Sequence, residues 1–198
     1  MVRAPDGRQS VATDEGPETV LLDAWAVINL CASRHFEDIL SDLPYRFAVA
    51  EKVSTDETLY VRRGGGGEDA LEKEPLKLDP SVSAGNLQVL PLLSDDEATT
   101  FVSLTTELDD GEAATIAIAL HRKLSVATDD RKARSRLRQA NVRSHSTLAL
   151  LKEWCETRGL SSDEIATVLS DVRHRGSFLP PRGEPLQNWW DTYSPSGR

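Results

Sequence analysis

The stretch LDDGEAATIAIALHRKLSVATDDR, residues 108–131, decides the fold. Asp109-Asp110-Gly111 reads as a turn. Glu112 to Lys123 sets Ile116, Ile118 and Leu120 among alanines, an apolar helix. Leu124 to Thr128 reads as a short buried strand, and Asp129 or Asp130 caps the basic helix that runs on to Ala140. A helix that feeds a strand, which ends in acids and opens another helix, is the building unit of an α/β protein.

The same alternation extends to both sides. Upstream, Thr19 to Asp23 reads as a strand apolar on both faces, the mark of a parallel sheet. Ala26 to Leu40 has helical spacing, Tyr45 to Ala50 is a second strand, and Glu51 to Arg63 reads as a helix ended by Gly64 to Gly67. Residues 64–86 read as a polar, glycine-rich insertion. Leu87 to Leu92 is a third strand, and Ser94 with Glu97 forms a capping box that opens a helix to Leu108. Downstream come a fifth strand, Val142 to His145, and two helices, Thr147 to Arg158 and Ser162 to Arg175. The expected fold is a three-layer α/β/α sandwich around a parallel five-stranded sheet. The main domain spans 19–180, between a polar N-terminal leader (1–18) and a C-terminal tail (181–198) that carries Trp189-Trp190. In such sheets ligands bind beyond the carboxyl ends of the strands.

Composition narrows the class. The 198 residues are 39% hydrophobic and 28% charged, without a repeat or a low-complexity bulk, which excludes fibrous and largely disordered chains. No run approaches the ~18 apolar residues of a membrane span. The leader lacks the apolar core of a signal peptide. Cys31 and Cys155 lie far apart in helical patterns without zinc spacing, so the cytoplasm is the expected compartment. The net charge of −9 is uneven: residues 1–121 carry 9 basic against 23 acidic side chains, residues 122–198 carry 14 against 9. The steepest positive run is Arg122 to Arg143, a local basic face able to attract a polyanion.

Acids cluster after the strands. Asp23 closes the first, Asp129 and Asp130 close the fourth, Glu112 opens the helix feeding the fourth, and Asp56 and Glu57 follow the second. Asp23, Asp110 and Asp130 also stand where an aspartate caps a following helix. Carboxylates that converge repel one another, and a divalent cation keeps them ionised. An all-oxygen set suits Mg²⁺ or Mn²⁺ better than zinc.

Four stretches, VLLDAWAVINL (20–30), AVAEKVSTDETLY (48–60), LDDGEAATIAIAL (108–120) and VATDDRKARSRL (126–137), together resemble a PIN domain, the fold of the VapC-type toxin ribonucleases. Leu148 to Leu179 resembles the helical C-terminal part of a subgroup of uncharacterised nuclease-like PIN proteins. The resemblance implies a strand order 3-2-1-4-5, a Mg²⁺ or Mn²⁺ site, and cleavage of single-stranded RNA leaving a 3′-hydroxyl. It also implies a homodimer and an antitoxin partner. By position, Asp23 resembles the family's first acid and Glu112 the third, while the fourth falls on Asp129-Asp130. Glu57 fits the second best, with Asp56 and Glu51 as rivals. Ala24-Trp25 stand where many relatives have a small hydroxyl residue.

The expected activity is therefore a metal-dependent endoribonuclease, with an activated water attacking phosphorus. Asp23, Glu112, Asp129 and Asp130 would hold the ion, and Glu57 would complete the cluster. Thr128, Arg131, Arg134 and Arg138 would meet the RNA. The rival is a catalytically degraded PIN fold that docks RNA or protein. A phosphate loop is excluded, because the glycine run follows a helix and lacks GK[ST].

Overall fold

The structure is a computed structural model that describes residues 16–55, 58–63 and 72–194. In chain order its elements are β1 (Thr19–Leu22), α1 (Ala24–Ala32), α2 (Phe36–Asp42), β2 (Arg46–Ala50), α3 (Glu51–Thr55), β3 (Tyr60–Arg63), β4 (Glu72–Pro75), α4 (Asp79–Ser83) and β5 (Leu87–Leu90). There follow α5 (Asp95–Leu104), α6 (Asp110–Arg122), β6 (Ser125–Ala127), α7 (Arg131–Gln139), β7 (Ser144–His145), α8 (Thr147–Arg158), α9 (Ser162–Arg175) and α10 (Gln187–Tyr193).

Five strands form one parallel sheet in the order β5-β2-β1-β6-β7. These are the five strands read from the sequence, in the order 3-2-1-4-5. Val20, Leu21 and Leu22 of β1 are fully buried, because β1 lies at the centre with helices over both faces. One layer holds α1, α2, α8, α9 and α10; the other is built on α6 with α3, α5 and α7. The β1–β6 register pairs Leu22 with Ala127, so Asp23 and Thr128 leave the sheet side by side.

Two expected helices are corrected. Ala26 to Leu40 is two helices, since Arg34 sits at φ 68 between α1 and α2. The Ser33 hydroxyl donates to the Leu30 carbonyl there. Both helices bury their apolar sides in one core, so the spacing hides the break. Glu51 to Arg63 is a helix only as far as Thr55. Tyr60–Arg63 is a strand paired antiparallel with Glu72–Pro75, Tyr60 opposite Pro75 and Arg63 opposite Glu72. The local signal was a period of two: Leu59 and Val61 are buried, while Tyr60 is partly covered and Arg62 exposed. The segment read as a polar insertion thus supplies β4 and α4 among its described residues; Gly64 to Gly67 lie outside them.

The tail also folds. In α10 Trp190 is buried and meets Phe178 edge-on at 5.5 Å between ring centres, while Trp189 meets Tyr193. Among the described residues no helix is long and apolar enough to cross a membrane.

Candidate functional site

Three helix starts build the site, because each begins with an aspartate just past a strand or turn. Asp23 caps α1, its Oδ1 accepting the Ala26 N–H at 2.6 Å. Asp109 caps α6, accepting the Glu112 N–H at 2.8 Å. Asp130 caps α7, accepting the Ala133 N–H at 2.8 Å. The cap of α6 is therefore Asp109 rather than the expected Asp110, which is the first helical residue.

Asp23 is held from two sides. Its N–H donates to the Ala127 carbonyl across the β1–β6 pair at 3.1 Å. Its carboxyl also bonds the Thr128 hydroxyl. Burial pushes that carboxyl up to about 7, against the Thr128 and Ala26 bonds, and repulsion from Asp129 and Glu112 adds to the rise. Thr128 is buried, and its oxygen also accepts the Asp130 N–H at 3.1 Å. This hydroxyl ties Asp23 to the α7 start.

Asp129 is fixed by one oxygen only. Oδ1 accepts the Thr147 N–H at 3.1 Å and Arg134 Nη2 at 2.9 Å. Oδ2 is buried without a hydrogen-bond partner. Burial raises this carboxyl, against the nearby Thr147 and the charge of Arg134. Glu112, in the first turn of α6, is pushed up to about 6 by burial, then by Asp130 and Asp109.

Asp23, Ala24, Trp25, Asp109, Glu112, Asp129 and Asp130 line one pocket of about 220 Å³. The four acids expected to hold an ion therefore share a cavity, with Asp109 as a fifth that sequence reading took only for a turn. Its signal was Asp109-x-x-Glu112, the spacing of a helix cap. Among the described residues no three acidic, His or Cys side chains stand in ready ligating geometry. The caps and the Asp129–Arg134 pair hold one oxygen of each aspartate elsewhere. Even so, the donor set fits a hard divalent cation: all oxygens, crowded carboxyls pushed upward, and a buried Oδ2 with no partner. Glu57 and Asp56 lie outside the described residues. Glu51 opens α3 and does not line the pocket.

The basic helix divides. Arg131 and Arg138 are exposed. Arg134 points inward and binds the Thr128 carbonyl, Asp129 and Glu184 at 2.8, 2.9 and 3.1 Å. Glu184, a buried tail residue not singled out from sequence, also accepts the Ser146 hydroxyl at 3.0 Å. Arg122, Arg136 and Arg143 are paired with Glu97, Glu107 and Glu18. The positive face is therefore narrower than the count of charges.

A family model described as a PIN domain matches residues 19–183. No curated protein matches the chain.

Proposed function

The chain belongs to the PIN domain family, whose members are generally nucleases using divalent metal ions, and we propose that it is a Mg²⁺- or Mn²⁺-dependent endoribonuclease acting on single-stranded RNA. The observation that carries the proposal is the shared pocket of Asp23, Glu112, Asp129 and Asp130 at the carboxyl ends of β1 and β6. A bound divalent ion would polarise the phosphoryl oxygen and acidify a water. Asp23, Glu112, Asp129 and Asp130 are the residues to hold it, with Glu57 as the second acid in sequence order. The protein's own contribution is to fix those groups. The α1 cap and Thr128 orient Asp23, and Arg134 with Thr147 orients Asp129 so that Oδ2 is left for a ligand. Arg131 and Arg138, seven residues apart and exposed on α7, would meet phosphates flanking the cut.

The rival reading, an RNA- or protein-docking module without catalysis, draws on one observation: Asp23, Asp109 and Asp130 stand hydrogen-bonded to their own helix starts, and no three of the described acids stand in ligating geometry. Cleavage of an unstructured RNA with Mn²⁺, compared between the wild type and Asp23→Asn, decides between them. Cleavage by the wild type and none by the variant supports the proposal. Equal cleavage by both, or none by either, refutes it. A role as the toxin of a toxin–antitoxin pair, and dimerisation, belong to the same proposal.

A further inference from the structure

A second cavity opens beside the acidic pocket. It measures about 330 Å³, within the range of small-ligand sites (about 300–1,000 Å³). Ala24, Trp25 and Asp109 line both cavities, so the two are contiguous. The walls away from the acids come from β3, the segment before it, and the end of α9: Leu59, Tyr60, Arg62, Arg175 and Gly176.

Three features point to what fits there. The first is Trp25, 61% exposed, on the ridge between the cavities. An aromatic face open to water beside a cleft is a platform on which an unpaired base can stack. Tyr60, the other aromatic of the lining, has Lys73 Nζ 4.1 Å from its ring centre, so Trp25 presents the open face. The second is Arg175. Its side chain is only 10% exposed, and among the described residues its one ion pair is a long contact of 3.5 Å to Glu74 and its buried Nε has no hydrogen-bond partner. A buried guanidinium donor without an acceptor is costly, and a phosphate or carboxylate satisfies it. The third is Arg62, exposed on β3 at the same cavity. Acids therefore stand at one end, a stacking ring in the middle and two guanidinium groups at the other.

We propose that this cavity is the subsite for the nucleotide next to the scissile phosphate, with Trp25 stacking on its base and Arg175 and Arg62 holding the following phosphate. This rests on the nuclease reading of the acidic pocket. A single strand is the form of RNA that fits, because only an unpaired base offers its face to a side-chain ring. Trp25, two residues after Asp23, then acts in substrate binding.

The test is binding, measured without catalysis. A fluorescein-labelled single-stranded RNA of mixed sequence is titrated into the full chain in EDTA and followed by anisotropy, at several salt concentrations. Trp25→Ala is expected to weaken binding about tenfold, and Trp25→Phe, which keeps a stacking face, by much less. Arg62→Ala is expected to weaken binding and lower the salt slope by about one. Unchanged affinity in Trp25→Ala and Arg62→Ala overturns the subsite. If Mn²⁺-dependent cleavage persists in that case, the nuclease reading survives without it. Trp25-dependent binding with no cleavage under any metal leaves a stacking site for single-stranded RNA but removes the nuclease reading, and with it the place of this site beside a scissile phosphate. Because Trp25 and Arg62 are exposed, their variants fold, and a thermal melt of each confirms it.

Discussion

Arg134→Met separates an inward, structural Arg134 from one that contacts phosphate. The guanidinium bridges Asp129 and Glu184, whose side chains are 14% and 2% exposed. Removing one partner of a buried ion pair costs about 3–5 kcal/mol, because the other charge is left uncompensated. Asp129 keeps the Thr147 N–H and Glu184 keeps the Ser146 hydroxyl, which places the expected loss at the lower end, about 3 kcal/mol. Urea unfolding at neutral pH measures it. In the Arg134→Met background, Glu184→Gln removes one stranded charge and is expected to restore about 1 kcal/mol or more. A loss below about 0.5 kcal/mol, of the size usual for surface substitutions, together with a lower salt slope for RNA binding, would refute the inward role.

Three further outcomes follow. In metal-free buffer the Asp23 carboxyl, raised from 3.8 to about 7, holds a proton in the folded chain that the unfolded chain has released. Stability therefore falls as pH rises from 3.8 through about 7 and is flat above, so Asp23→Asn, which keeps the cap, should gain about 2–3 kcal/mol more over wild type at about pH 8 than at about pH 5. Denaturant melts at the two pH values check this; a gain that does not grow with pH contradicts it. Gly176→Ala would bring a Cβ to 2.7 Å from Asn29 Oδ1 and 2.8 Å from the Val172 carbonyl, so α9 must shift off α1, with an expected loss of about 1–3 kcal/mol in the same assay. Glu97, held down to about 2 by Arg122, gives stability that is full above its ordinary 4.5 and lost as pH falls toward 2. Glu97→Gln should flatten the acid limb of the stability curve in that window.

The sheet was legible because its strands are buried on both faces and read as apolar runs: Val20-Leu21-Leu22, Phe47 to Ala50 and Val126-Ala127. The helices after them were legible through caps and apolar spacing. What failed was local competition. Arg34 takes a left-handed conformation that no residue type announced, and Tyr60 to Arg63 becomes a strand because a partner 12 residues on, Glu72 to Pro75, completes its ladder. Charge alone gives no such partner information, so Arg134 and Arg122 looked like Arg131. Their inward turn depends on Asp129, Glu184 and Glu97, brought close only by the fold. That Asp23, Asp129 and Asp130 share a pocket was legible because a parallel sheet places residues after neighbouring strands together.

Metal-dependent cleavage requires that Asp23, Glu112, Asp129 and Asp130 act on one ion. Calorimetric titration of Mn²⁺ into the metal-free protein answers this, run on wild type and on Asp23→Asn, Glu112→Gln and Asp129→Asn. A single wild-type site that each substitution weakens about tenfold or more is expected, with proton release on binding because carboxyls pushed up to about 7 and about 6 must ionise. Binding that all three variants leave intact, or a wild type that takes up no ion, would contradict it.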